Sequence, residues 1–481
     1  MKLETKNLIS HKLFFPVYLI LSSFIILWPV IFNGYPLFYG DSALYIAASN
    51  IFGNLSKNNE LPNMSGIGYA LFIRIVTWRS TLYLVVFAQA LILNFLVFNC
   101  LKVLLPAKKT IKFHLLVIAL LSLFSSMGWT VSQLMPDIFT SYLVLSVFLF
   151  FSLNKKSWGF YVFLSVIIMI SILSHLTNIT ISVLVIGLLF ISFLFMRTDK
   201  KDLLLFIRKS IVIVGLIFAS LLILIGLNIK YYNYTGLSQT GNIFFIARLM
   251  DAGFMPEFLD EKCPERSYEM CKYKSNLSNS YEDFLWSPES EFNKTGGWNL
   301  QAHDEYKLII HDVLTTPKYL GKFLYNCGIH SVNQLKTFEI GEGINNSSNK
   351  KSSQFQTVIR YFDKKEFRQN FLNSKQMQGK LSFYRVNLYN YILLFISIII
   401  ILWSIIKYKF DRNMILFTFI TISSVIVNAA ATSSLSSVFN RFQSRIIWMI
   451  PLLACVYFSV FITPIIKKRF KSVAVKSNVD S

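Results

Sequence analysis

Charged side chains stand at the ends of several long apolar runs in this sequence. Asp41 follows the first run in FYGDSALYIAAS (38–49), and Asp137 opens a later one in LMPDIFTSYL. Arg441 and Arg445 precede the last run in NRFQSRIIWMIPL. A partly desolvated carboxylate can act as a general base, and two arginines one helical turn apart can grip a phosphate. Together they predict transfer of a group from a lipid-linked phosphate to a hydroxyl or amine.

The same residues allow simpler interpretations, which stay open at this point. Tyr45 lies one helical turn after Asp41 and would share its helix face. Asp41 and Asp137 each precede a helix-like stretch and would suit capping alone. His175, in SHLTN, would serve either the site or a turn between two apolar helices. The two arginines would also suit simple anchoring at a membrane interface.

Composition indicates an integral membrane protein. The chain has 481 residues, of which 54% are hydrophobic and 15% are charged, and its mean hydropathy is +0.51. A membrane-spanning helix needs roughly 20 apolar residues. The sequence predicts an all-α fold with about ten such helices, at 14–34, 81–105, 113–131, 136–153, 158–174, 178–196, 210–228, 389–406, 413–431 and 446–466.

The basic residues predict which side of the membrane each loop faces. The formal charge of +22 is spread between the apolar runs, so it indicates no nucleic-acid surface. Lysines and arginines recur in the segments that face one side, at 2–12, 102–112, 155–156, 197–209, 407–412 and 467–476. Cytoplasmic loops carry an excess of lysine and arginine. Because both terminal segments belong to the basic side, both termini are predicted to be cytoplasmic. The Asn-, Lys- and Ile-rich composition is typical of an AT-rich bacterial genome, so we expect a bacterial cytoplasmic (inner) membrane.

Three regions follow from this pattern. Residues 1–228 form an N-terminal membrane module of about seven helices, and 389–481 form a C-terminal module of about three helices with a basic cytoplasmic tail. The polar segment 229–388 is predicted to be a helix-containing extracytoplasmic domain between the seventh and eighth spans. Cys263 and Cys271 are close enough in sequence for a disulfide in an oxidising compartment, with two free thiols as the alternative.

These motifs resemble those of the GT-C superfamily of membrane glycosyltransferases, the group that includes protein O-mannosyltransferases and lipid A aminoarabinose transferases. The resemblance is carried by GDSALY (40–45), GIGYALFIRI (66–75), LMPDIFTSYLVL and NRFQSRIIWMIPL. It covers the first seven predicted helices and, more loosely, the C-terminus. Each motif is short. The resemblance therefore depends on the order of the motifs along the chain and on their predicted location on the same side of the membrane.

The resemblance implies a role for each residue. Asp41 would be the base in an inverting displacement, and Asp137 would position the acceptor or a divalent cation. Arg441 and Arg445 would hold the leaving phosphate, and residues 54–79 would form helices along the outer surface. This chain departs from the family pattern at Ala70, where the family usually has proline. Its acid in the first outer loop, Asp41, also stands alone instead of being paired with a glutamate. A further departure is that its large polar segment lies between the seventh and eighth helices instead of wholly at the C-terminus.

The sequence therefore predicts a transferase that uses a polyprenyl-phosphate sugar and a glycan, lipid or protein acceptor. One alternative is a polysaccharide ligase or polymerase that uses a diphosphate-linked glycan, which would rely on outer-loop arginines and need no first-loop acid. Another is a transporter or lipid flippase. Such proteins usually carry internal repeats and charged or broken helices at mid-bilayer. We find no internal repeat, and the predicted helix interiors lack charges.

Overall fold

The protein is α-helical throughout the region that its structure describes. The computed structural model describes residues 2–50, 66–78, 80–106, 110–153, 158–195, 200–299, 304–344, 365–408 and 410–462. These ranges contain no β-strand, and their one isolated β-bridge joins Leu37 and Gln133. The predicted all-α class is thus confirmed for this part of the chain.

Eleven helices precede the polar segment within the described ranges. They are α1 (Lys2–Ile26), α2 (Trp28–Asn33), α3 (Ser42–Ser49), α4 (Ile67–Thr77), α5 (Tyr83–Leu104), α6 (Thr110–Phe124), α7 (Met127–Val131), α8 (Ile138–Ser152), α9 (Trp158–Ser174), α10 (Thr177–Phe195) and α11 (Lys200–Tyr232). The predicted runs 14–34 and 113–131 are each divided into two helices, α1 with α2 and α6 with α7. The predicted surface stretch 54–79 is described only from residue 66 to residue 78, where α4 packs against α3 and α9.

The rest of the chain adds shorter helices and then three long apolar segments. The helices are α12 (Gly241–Asp251), α13 (Met255–Lys262), α14 (Tyr281–Trp286), α15 (Glu291–Lys294), α16 (Asp304–Thr315), α17 (Pro317–Lys336), α18 (Lys365–Asn373), α19 (Tyr384–Lys407), α20 (Arg412–Leu435), α21 (Asn440–Ile447) and α22 (Met449–Tyr457). A 3-10 helix covers Glu269–Asn276. The predicted basic tail lies outside the described residues.

Several helices are long and apolar enough to cross a membrane. Five segments meet this description within the described chain: α5, α11, α19, α20 and Asn440–Val460, which contains α21 and α22. Large apolar side chains on α11 and α19 are also exposed, among them Ile211, Phe218, Phe395 and Leu402. Such extensive apolar exposure on helices of this length indicates a lipid environment. The count of ten crossings stays a prediction, because the other apolar helices are shorter.

Two large hydrophobic cores organise the described chain. The first joins buried side chains from both ends of the chain, from Ile26 to Tyr457. The second lies within residues 243–323 and is built by α12 to α17. A smaller cluster packs Ile340 and Phe383 against Trp129. Part of the polar segment therefore lies directly on the N-terminal helices, while the proposed domain boundaries stay predictions.

Candidate functional site

Two loops lie side by side and bring Asp41 and Asp137 to corresponding positions. Leu37 N–H donates to Ser132 O, and Leu134 N–H donates to Leu37 O, both over 2.9 Å. This parallel bridge pairs Leu37 with Gln133, and each stands four residues before its aspartate. The two aspartates also occupy equivalent helix positions, because Asp41 is the N-cap residue of α3 and Asp137 is that of α8.

Buried glutamine side chains hold these two loops in place. The Gln89 amide donates to Val131 O over 2.7 Å and to Gln133 O over 3.0 Å. Gln376 accepts from Phe38 N–H over 3.0 Å and donates to Phe38 O over 2.6 Å. These contacts pair backbone N–H and C=O groups that lie outside helices. Such groups are costly when they are buried without a hydrogen-bond partner.

Helix α21 places an arginine against each aspartate. Arg441 Nη1 lies 2.6 Å from Asp41 Oδ2, and Arg445 Nη1 lies 3.4 Å from Asp137 Oδ1. The two arginines are one helical turn apart, so they share a helix face. The structure thereby brings together four residues that the sequence singled out from three separate regions of the chain.

The capping interpretation does not describe the side chains of these two aspartates. Neither Asp41 nor Asp137 accepts a capping hydrogen bond in its helix, according to the described contacts. Asp411 shows the alternative, because its Oδ1 accepts from Met414 N–H over 2.8 Å at the start of α20. The carboxylates of Asp41 and Asp137 instead face guanidinium groups.

The two arginines differ in accessibility. Arg445 is 0% exposed and Asp137 is 4% exposed. The remaining guanidinium donors of Arg445 reach Asn428 Oδ1, over 3.2 Å from Nε and 2.8 Å from Nη2, and Thr177 Oγ1 over 3.1 Å. Arg445 therefore makes four hydrogen bonds inside the protein, including the one to Asp137. By contrast, the Arg441 side chain is 23% exposed and that of Asp41 is 37% exposed.

His175 and Tyr45 lie in the same neighbourhood. His175 Nδ1 accepts from Thr177 N–H over 3.3 Å and lies 2.7 Å from Thr177 Oγ1, which in turn contacts Arg445. A backbone N–H can only donate, so this imidazole is neutral with its proton on Nε2. Burial, followed by the charges of Arg445 and Arg441, holds the pKa of His175 well below its usual value. Tyr45 is buried, with its ring edge against Tyr69.

Arg441 faces a small opening in the protein surface. Its guanidinium carbon lies 4.6 Å from the ring centre of Tyr39 and 5.0 Å from that of Phe442. Its Nε is buried and has no hydrogen-bond partner among the described residues. The lining of the opening includes Trp129, Thr130, Gln133, Glu339, Glu342 and Arg441.

Glu342 belongs to this site although sequence reasoning missed it. Its carboxylate accepts from Arg441 N–H over 3.3 Å, at the start of α21. The flanking Gly341 and Gly343 have φ of 114° and 69°, which favours glycine. A Cβ on Gly343 would overlap the ring of Tyr39. The Gly-Glu-Gly pattern was the available signal, yet it indicates only a turn and does not name the neighbour of the acid.

The described residues do not fit a divalent-cation site. Among them, no group of three or more His, Cys, Asp or Glu side chains lies close enough to hold a metal ion. Asp41 and Asp137 are each paired with an arginine, which occupies the carboxylate that a cation would need. We therefore derive no catalytic step through a metal.

Cys263 and Cys271 form a disulfide. Both pack against the second core, apart from the opening at Arg441. The disulfide thus cross-links two residues of the polar region and is separate from the cluster of aspartates and arginines.

Comparisons of the chain with protein-family models, with curated proteins and with solved structures give no match.

Proposed function

We propose that this protein is a membrane glycosyltransferase that moves a sugar from a polyprenyl-phosphate donor to a glycan, lipid or protein acceptor. The observation that carries the proposal is the paired arrangement of Asp41 with Arg441 and Asp137 with Arg445 at one set of helix ends. A base and a phosphate-binding cation are the two groups that such a transfer needs. The motif resemblance to the GT-C superfamily points to the same chemistry.

Asp41 is the general base in this proposal. The acceptor oxygen or nitrogen bonds to the anomeric carbon of the sugar, and its proton passes to the Asp41 carboxylate. The bond between the anomeric carbon and the phosphate oxygen breaks at the same time, and the polyprenyl phosphate leaves with the electron pair. Attack opposite the leaving group inverts the anomeric carbon.

Arg441 receives the departing phosphate. Its partly exposed guanidinium and its buried Nε, which has no partner among the described residues, suit phosphate oxygens, which accept several charge-assisted hydrogen bonds. When Arg441 turns towards the phosphate, its contact with Asp41 weakens and the carboxylate becomes available as a base. In this proposal, the ion pair between Arg441 and Asp41 is the arrangement that precedes donor binding.

Arg445 and Asp137 act as positioning residues. Arg445 reaches no solvent, and its donors already serve Asp137, Asn428 and Thr177. The pair fixes α21 against α8 and so sets where Arg441 stands. His175, held through Thr177, supports the same arrangement as a neutral side chain.

The proposed location is the bacterial inner membrane, with both termini cytoplasmic and the site on the outer face. The positive-charge bias of the loops supports this orientation. A lipid-linked phosphate then explains why the candidate site lies at helix ends, where a headgroup meets the membrane surface.

The experiment that tests the proposed function compares cell-envelope glycans and lipids by mass spectrometry. Cells would carry the normal chain, no chain, or Asp41→Asn at a matched protein level. Loss of the same sugar in both altered strains supports the transferase and names its product. Unchanged glycans in all three strains would contradict it and would direct attention to lipid or solute transport.

A further inference from the structure

The Gly-Glu-Gly turn is firmly attached on both sides of Glu342. The backbone of Ile340 exchanges two hydrogen bonds with the Asn387 amide, over 2.7 and 3.0 Å. Ile344 O accepts from Gln376 Nε2 over 2.7 Å. The turn therefore holds the Glu342 carboxylate at a defined position against α21.

That position is an anion site, and Glu342 fills it. The carboxylate accepts from the backbone N–H groups of Asn440 and Arg441, which begin α21. Free N–H groups and the helix dipole make a helix start favourable for anions. The guanidinium of Arg441 provides the positive charge beside it. An internal carboxylate bound there shows that this end of α21 can hold an oxyanion.

Two residues that line the opening carry buried donors with no partner among the described residues. Trp129 is 2% exposed, and its buried indole N–H makes no described hydrogen bond. The buried Nε of Arg441 makes none either. Both residues line the same opening as Glu342. A buried unpaired donor costs about 1–3 kcal/mol, so an oxygen acceptor placed beside either of these two donors would relieve that cost.

We propose that Glu342 is a placeholder for the phosphate of the substrate, and that residues 341–343, between the attached residues Ile340 and Ile344, move aside when this phosphate binds at the start of α21. The identification of the phosphate as that of the sugar donor rests on the proposed function; the anion site itself does not. A phosphate has more acceptor oxygens than a carboxylate, so it can serve the helix start, Arg441 and Trp129 together.

Charge explains why the two anions exclude each other. Asp41 and Glu342 already lie near the same partly exposed guanidinium, that of Arg441. A phosphate added beside both would place three negative groups around it, with repulsion of about 1–4 kcal/mol for each close like-charged pair. Burial also raises the pKa of Glu342, which shows that its charged form is held at a cost. Because Glu342 occupies the start of α21, it is the anion that we expect the phosphate to replace.

The test measures phosphate binding by the purified full-length protein in lipid nanodiscs. The probes are inorganic phosphate and a short prenyl monophosphate. Glu342→Gln keeps an acceptor for the helix start but removes the competing charge, so we expect at least about fivefold tighter binding, which corresponds to about 1 kcal/mol. Glu339→Gln makes the same charge change at the same opening, and should change binding less than about twofold, because the Glu339 carboxylate accepts from Tyr391 Oη and from no described N–H group of α21.

A second variant acts through shape and retains the charge of Glu342. Gly343→Ala places a Cβ against the Tyr39 ring, so the turn cannot close as before. We expect tighter phosphate binding here as well. Tighter binding of both probes supports a site for the phosphate group alone, and tighter binding of the prenyl phosphate only supports a site that also needs the lipid. Unchanged or weaker binding by both variants would overturn the proposal.

Phosphate binding and envelope glycans test the anion site and the proposed transferase activity separately. If Glu342→Gln binds phosphate more tightly while Asp41→Asn leaves the envelope glycans unchanged, the placeholder stands and the transferase does not. If Asp41→Asn removes a sugar while neither turn variant changes phosphate binding, the transferase stands and the placeholder is rejected.

Discussion

Arg441 Nη1 lies 2.6 Å from Asp41 Oδ2, and this ion pair joins two residues that are 400 positions apart in the chain. The contact ties the loop after the first apolar run to the start of the last one. It also places the candidate base and the candidate phosphate-binding cation in direct contact. The opposite charges of the two side chains offset each other in this ion pair.

Replacing Asp41 should separate catalysis from folding. Asp41→Asn removes the charge of a side chain that caps no helix, so we expect loss of transfer by at least about 100-fold with near-normal protein abundance. The measurements are transfer of the sugar and the amount of folded protein in membranes. Asp411→Ala is the stability control, because Asp411 does cap a helix and alanine cannot accept that hydrogen bond. It should lower stability by about 0.5–2 kcal/mol and leave transfer unaffected. Loss of abundance with Asp41→Asn would contradict the assignment.

Replacing Arg445 should destabilise the protein strongly. Arg445→Gln leaves the buried Asp137 without its cation, and breaking a buried pair in this way costs about 3–5 kcal/mol. The measurement is chemical unfolding in detergent. Arg412→Gln breaks the exposed pair of Arg412 with Asp202 and should cost less than about 1 kcal/mol. Equal losses in the two variants would show that burial of Arg445 does not determine its contribution.

The neutral state of His175 should appear in the pH dependence of stability. Its pKa is lowered in the folded protein, so folding is favoured above the ordinary histidine value of about 6.5 and weakens as the pH falls below it. Protonation also removes the acceptor of the Thr177 N–H. We expect His175→Gln to lose less stability than the normal protein between pH 7 and pH 5, by at most about 1.4 kcal/mol per pH unit. Parallel curves for the two proteins would contradict this.

The disulfide should be present and stabilising in the mature protein. A thiol-reactive polyethylene glycol should modify Cys263 and Cys271 only after reduction and unfolding. Replacing both with serine should cost about 2–3 kcal/mol, as expected for a short closed loop. Cys327→Ser is the control, since Cys327 is free. Modification of both cysteines without a reductant would show that the thiols are free.

The predicted sidedness can be tested by labelling introduced cysteines with a membrane-impermeant maleimide. Glu289→Cys, at a highly exposed side chain of the polar region, should label in intact cells. Lys102→Cys, at the exposed end of α5, should label only after permeabilisation. Both substitutions are made in a Cys327→Ser background. Labelling of Lys102→Cys in intact cells would reverse the proposed orientation.

Local pattern was sufficient to predict most helices. The run 81–105 corresponds to α5, and 389–406 falls within α19, because a long uninterrupted apolar run in one chain has few alternatives to a helix. The run 14–34 was harder, since a turn at Leu27 divides it. The pairing of Cys263 with Cys271 was likewise predictable from their short separation, which limits how far apart two cysteines can lie.

By itself, then, the sequence determined the helical class, the apolar segments and the small set of polar residues at their ends. Only the tertiary structure decided that Arg441 faces an opening while Arg445, one helical turn on, is wholly buried. It also decided that Glu342 lies at the start of α21. Periodicity records which residues share a face of one helix, whereas these contacts join segments 99 to 400 residues apart. They depend on how whole helices pack, and no local pattern carries that information.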